Sequence, residues 1–219
     1  MGRALELENA AGRIGAWRAD PLGKPLGALV VVQEIFGVNA HIRGVVDRFA
    51  AHGFVAVAPA LFDHVERGVE LGYDESGIAR GRELAAAVGF DRAVASVLAC
   101  ADGLGREART GVVGFCWGGT VAFLAGVRGS RPAVVYYGGR SVPFLHERGN
   151  APLLFHFGER DPLIPEQDRA LHRALQPDAE IHVYPAGHGF NCEQRADHHP
   201  ESAALALERT LAFFRRHLA

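Results

Sequence analysis

Six short apolar runs, most of them followed by a segment of helical periodicity, limit what this chain can fold into. They are "LVVVQ" (29–33), "FVAVA" (54–58), "GVVGF" (111–115), "AVVYYG" (133–138), "PLLFHFG" (152–158) and "EIHVYP" (180–185). The first five are rich in β-branched or aromatic residues and run almost unbroken, without an alternating polar face, and "EIHVYP" reads as a last strand. Strands of that kind are covered on both sides, as in a parallel sheet with helices over both faces. The intervening segments supply the helices. In "AHIRGVVDRFAAHG" (40–53), Ile42, Val45, Val46 and Phe49 recur at helical spacing and Gly53 suits a C-terminal cap. Two helical patterns reach to about Asp102 with a break at Gly89, after an irregular, Gly-bearing excursion over 62–77. "GGTVAFLAGVRG" (118–129) is a further helix. In "PEQDRALHRALQ" (165–176), Pro165 suits a first turn and Leu171 and Leu175 lie one turn apart. In "ESAALALERTLAFFRRHL" (201–218), Ala204, Leu207, Leu211 and Phe214 mark an apolar face, and "ALELE" and "RIGAW" form a hairpin ahead of the rest. The expected fold is α/β, with a mostly parallel central sheet in a single domain over 1–219.

The whole-chain balance narrows the function classes. At 219 residues and a net charge of −2, nothing favours nucleic acid or an anionic membrane as partner. The run "GALVVV" is far shorter than the ~20 residues of a membrane span. The N-terminal segment has no apolar core with a small-residue cleavage site, and Glu6 stands where an acylation motif starting Met-Gly needs Ser or Thr. Cys100, Cys116 and Cys192 cannot all pair and form no C-x-x-C, so reduced thiols in a cytoplasmic protein are expected, with a Cys100–Cys116 disulfide left open. The sequence "DHH" (197–199) near Cys192 fits no zinc spacing, and neither metal nor cofactor is expected. A monomer or small homo-oligomer acting on a small molecule is the matching expectation.

The chemistry gathers around "VVGFCWGGT" (112–120). A strand runs into Gly-x-Cys-x-Gly-Gly and then a helix, the pattern of a nucleophile elbow, in which small residues two before and two after let strand and helix backbones approach. The helix N-terminus near Trp117 favours thiolate at Cys116, and its free N–H groups can face an oxyanion. The bland reading is a buried cysteine in a glycine-rich turn. Order along the chain favours the functional one. Asp161 follows the strand at 153–157 and His188 follows that at 181–184, giving nucleophile, acid and histidine in the hydrolase order. His188 then serves as base or ion-pair partner of Cys116, and Asp161 fixes its tautomer. A second oxyanion N–H comes from the end of the early strand, at Glu34–Ile35, where a carboxylate is unexpected.

The motifs "QEIFGVN", "GFCWGG", "GERDPLIP" and "AGHGF", in that order and covering nearly the whole chain, resemble the dienelactone hydrolase family, the carboxymethylenebutenolidases of aromatic degradation. The resemblance implies an α/β-hydrolase fold and a catalytic set of Cys116, His188 and Asp161. It further implies that Glu34 partners the resting thiol and takes its proton when substrate binds. The implied oxyanion donors are the backbone N–H groups of Trp117 and Ile35. Family enzymes that act on dienelactone hold its carboxylate with two arginines. Cys192 stands at one of these positions, Arg80 or Arg82 fits the other, and Arg140 or Arg195 can substitute. Gly189 replaces a frequent serine, and Tyr137 is placed at the pocket mouth.

A thiolate attacks well near neutral pH but is also a good leaving group, so an adduct with a poorly departing amine collapses back. Activated esters, enol esters or lactones are therefore the expected substrates, through a thioester acyl-enzyme. The alternatives are a family esterase of different range and a non-catalytic redox-responsive thiol protein. A glutamine amidotransferase would carry its acid two residues after the histidine, where this chain has Phe190.

Overall fold

An N-terminal hairpin, β1 (Arg3–Asn9) and β2 (Gly12–Ala19), leads into β3 (Gly27–Val32), α1 (Ala40–Ala51) and β4 (Phe54–Pro59). Then follow α2 (Glu75–Leu104), β5 (Thr110–Phe115), α3 (Trp117–Gly129) and β6 (Ala133–Tyr136). The chain ends with β7 (Leu153–Gly158), α4 (Glu166–Leu175), β8 (Glu180–Tyr184) and α5 (Pro200–Leu218). This computed structural model describes residues 2–9, 12–105 and 108–218.

All six apolar runs enter one eight-stranded sheet, ordered β1-β2-β4-β3-β5-β6-β7-β8. From β4 to β8 every pairing is parallel, while β1–β2 and β2–β4 are antiparallel. The chain steps outward from β3 to β4 and then returns past β3 to β5. Right-handed crossovers therefore put α1 on one face and α2 and α3 on the other. The reversal leaves a crevice beyond the C-terminal ends of β3 and β5, where ligands bind in open α/β sheets. The fold is that of an α/β-hydrolase. Its central strands β3, β4, β5, β6 and β7 are buried along their whole length, which is why they read as unbroken apolar runs.

Some local expectations shift. The two helical patterns form α2, interrupted at Gly89 (φ 70°, ψ 166°). An 18-residue window in α2 reaches a mean hydropathy of 1.6 in a helix long enough to cross a membrane. In the fold, Leu84, Val88, Val94, Val97 and Leu104 of that helix are buried in the core. The excursion contains a short 3₁₀ turn at Leu61–His64, and α2 starts within its last residues, capped by the Asp74 carboxylate on the Gly77 N–H at 2.7 Å. Leu171 and Leu175 of α4 are exposed. The helix instead buries Arg169 and His172, because Arg169 donates to the carbonyls of Gly158 and Ile164. The buried face of α5 is turned from the expected one. Ala206, Thr210, Phe213 and Leu218 are buried beside Leu211 and Phe214, and Ala204 is exposed, since Thr210 bonds the buried Tyr136 hydroxyl at 2.7 Å. All three cysteines are free, so the Cys100–Cys116 pairing does not form.

The turn from β5 to α3 is set by backbone contact. A Cβ on Gly114 would overlap the Gly118 carbonyl, and one on Gly118 would overlap the carbonyls of Gln33 and Val32 in the next strand. Gly118→Ala is expected to cost about 1–3 kcal/mol through overpacking, read as a lower midpoint in urea unfolding.

Candidate active site

Because β3, β5, β6, β7 and β8 are parallel, the residues just past their C-terminal ends share one edge of the sheet. Glu34, Cys116, Tyr137, Asp161 and His188 all occupy such positions. Cys116 has φ 54° and ψ −120°, a left-handed conformation that a non-glycine residue adopts at a cost of about 1–3 kcal/mol. The Gly114–Gly118 contact imposes it and lifts the sulfur out of the turn. His188 Nε2 lies 3.2 Å from Cys116 Sγ, and His188 Nδ1 lies 2.7 Å from Asp161 Oδ2.

Each partner is held in turn. The other carboxylate oxygen of Asp161 accepts the Leu163 N–H at 2.8 Å, and buried Arg169 ties the Asp161 loop to its own carbonyls. The Arg160 N–H donates to the Ala186 carbonyl, which couples the aspartate loop to the histidine loop. Burial opposes charge on His188, but the Cys116 sulfur and the Asp161 carboxylate outweigh it and raise the imidazole pKa to about 10. The geometry favours a protonated imidazole between the sulfur and the carboxylate.

Cys116 and His188 form the floor of a cavity of about 240 Å³, with Asp161 buried behind the histidine. Its walls are Ile35, Phe36, Ile78, Ala85, Trp117 and Leu163, and three arginines, Arg82, Arg140 and Arg195, complete the lining. Trp117 is backed by Phe62 and Phe90, with ring centroids 5.8 and 6.2 Å away. As the first residue of α3, Trp117 has an N–H with no partner inside the helix. Ile35 stands across the cavity, just past the end of β3, so the backbone N–H groups of both expected oxyanion donors belong to residues lining the same cavity as Cys116.

The substrate-binding expectations divide. Arg82 lines the cavity, whereas Arg80 is on the surface in ion pairs with Glu66 and Glu83. Two residues apart on a helix means about 200° around it, so only one of the two can face inward. Tyr137 is not at the mouth. It is fully buried, with its ring edge-on to His188 at 5.1 Å. A φ of 40° at the end of β6 turns it beneath the histidine, and burial followed by the Glu34 charge pushes its phenol pKa far up. Arg140 and Arg82 are exposed, and neither has an ion pair among the described residues. Arg195 is half-buried, lies over the Phe36 ring at 6.0 Å, and reaches Glu34 Oε1 at 3.4 Å. Gly189 makes room for it, because a Cβ there would meet the Arg195 guanidinium at 2.6 Å.

Glu34 is buried beside this arginine, and its second oxygen has no partner among the described residues. Cys116 is paired with His188 here rather than with Glu34. Behind Glu34 lie two residues that sequence reasoning did not bring together with it, His41 of α1 and Cys192 of the histidine loop. Burial alone would lower the His41 pKa. The Cys192 sulfur, the Glu193 carboxylate and the Glu34 charge raise it to about 9. No spacing signal links positions 34, 41 and 192, which come from three separate parts of the fold.

His188 carries more proton affinity folded than the ordinary value of 6.5, so the pair stabilises the fold fully below about 6.5 and loses that contribution as pH rises through about 10. In Asp161→Asn, the alkaline limb of the kcat/KM profile and the His188 imidazole titration should both move down by about 1–3 pH units. An NMR titration of the ring checks the second directly.

The chain has relatives among known proteins. A sequence profile described as the dienelactone hydrolase family matches residues 14–218. The carboxymethylenebutenolidase of Pseudomonas putida is 32% identical over 215 residues, covering 91% of this chain and 89% of that protein. A provisionally assigned carboxymethylenebutenolidase of Synechocystis sp. is 32% identical over 244 residues, covering 98% and 96%. The crystal structure of a provisionally assigned dienelactone hydrolase from Klebsiella pneumoniae superposes with a TM-score of 0.85 at 31% identity, over 99% of this chain and 100% of that one.

Proposed function

The chain belongs to the dienelactone hydrolase family, hydrolases of ester and lactone bonds, and we propose that it opens small, anionic, activated esters or lactones through Cys116, His188 and Asp161. The observation that carries this reading is the single imidazole bridging sulfur and carboxylate, at 3.2 and 2.7 Å, on the floor of an arginine-lined cavity.

Cys116 Sγ attacks the acyl carbon, and the carbonyl oxygen becomes an oxyanion accepting from the Trp117 and Ile35 N–H groups. Collapse breaks the acyl–oxygen bond. The His188 imidazolium gives its Nε2 proton to the departing alkoxide or enolate, leaving a thioester on Cys116 and a neutral ring. That ring then takes a proton from water, the hydroxide attacks the thioester, and the sulfur leaves as thiolate facing a restored imidazolium. Asp161 holds the tautomer throughout. A thiolate departs more readily than an amine but competes evenly with a stabilised enolate, so amides are poor substrates.

The cavity volume and charge support the substrate class. About 240 Å³ is smaller than the roughly 300–1,000 Å³ of a drug-sized pocket, which suits a single ring or short acyl chain. Arg195 is the innermost of the three arginines and can give up its long contact with Glu34 for a carboxylate.

Cys116→Ala is expected to abolish turnover, and Cys116→Ser to leave only weak activity, because a hydroxyl gains far less from an imidazolium partner. Full activity in either contradicts the assignment. A matched pair of activated esters, one ending in a carboxylate and one in its methyl ester, reads the charge preference. Arg195→Met should raise KM for the anionic ester about tenfold or more and change that for the neutral one far less.

A further inference from the structure

Behind the catalytic floor, Glu34, His41 and Cys192 bring one oxygen, one nitrogen and one sulfur within 4.8 Å of one another, and all three residues are buried. Two of these donors lack any partner outside the cluster. Glu34 Oε2 and His41 Nε2 make no hydrogen bond to any other described residue, the Cys192 sulfur being the group beside His41, although buried polar atoms are almost always satisfied. The other atom of each group is engaged. Glu34 Oε1 faces Arg195 at 3.4 Å, and His41 Nδ1 faces Glu193 Oε2 at 3.1 Å. A carboxylate on the far nitrogen of an imidazole fixes its tautomer and turns the near nitrogen into a ligand, the arrangement found behind metal-binding histidines.

We propose that Glu34, His41 and Cys192 form a binding site for a zinc-class divalent cation. The donor set selects the ion, since mixed sulfur, nitrogen and oxygen ligands suit zinc or cobalt(II) and not magnesium or calcium. Binding at about 2.0–2.3 Å requires the three side chains to close in on the ion by less than about 1 Å each. Cys192 releases its thiol proton and His41 its Nε2 proton to solvent as the metal–sulfur and metal–nitrogen bonds form. The charges then balance locally: one carboxylate and one thiolate against a dication, with Arg195 left positive toward the cavity. The site lies apart from the Cys116–His188 pair, and an ion there would hold Glu34 through Oε2.

Cobalt(II) titration of the full chain carrying Cys116→Ala tests this without interference from the nucleophile. The result expected is one equivalent bound, with a near-ultraviolet thiolate-to-cobalt charge-transfer band that added zinc bleaches. The band should vanish when Cys192→Ala is added, and His41→Gln in the same background should weaken binding at least tenfold. Circular dichroism of each variant identifies any that fails to fold, and the two variants disable the site from different elements. Absence of the band in the Cys116→Ala protein overturns the proposal. So does a band that survives Cys192→Ala, or a cobalt affinity that His41→Gln leaves unchanged. Because the reporter protein has no nucleophile, this outcome is independent of whether the proposed hydrolytic mechanism holds.

Discussion

The contact between the Gly114 and Gly118 backbones is the constraint on which the site depends. It brings the start of α3 against the end of β5 and against the carbonyls of Val32 and Gln33 at the end of β3 and just past it. Three consequences follow from this one close approach. Cys116 is forced to a positive φ with its sulfur projecting, the first N–H of α3 is left free beside it, and the end of β3 is brought across the crevice. The turn's strain is held by a sheet whose central strands are completely buried, so Cys116 rests on a densely packed support.

Around that rigid point the protein concentrates charge in a low-dielectric space. The His188 imidazolium stands between Cys116 and Asp161, and Arg195 stands against Glu34. Each cation is matched by an anion reached from a different strand end, so the loops after β3, β7 and β8 hold one another in place. Burial makes any unpaired member costly, which ties the site's order to its protonation state.

Much of this was legible in the sequence because it rests on local pattern. Unbroken apolar runs identified the buried parallel strands, and the order of Cys116, Asp161 and His188 after those strands placed them on one edge. The features that escaped are those set by tertiary packing. Leu171 and Leu175 suggested an apolar face for α4, but buried Arg169 satisfies loop carbonyls there. Arg80 and Arg82 were equivalent in sequence, and only the helix phase separates them. Tyr137 was expected at the pocket mouth and lies beneath His188, because a positive φ ends β6. The grouping of Glu34, His41 and Cys192 had no sequence signal, since it requires β3, α1 and the loop after β8 to meet.

In the proposed mechanism the Cys116 sulfur carries the acyl group. Rapid-quench mass spectrometry with a slowly deacylating activated ester measures this directly. One acyl adduct per chain is expected, located on the Cys116 peptide, labile to hydroxylamine as a thioester and absent from Cys116→Ala. An adduct on another residue, or steady turnover by the Cys116→Ala protein, would contradict it.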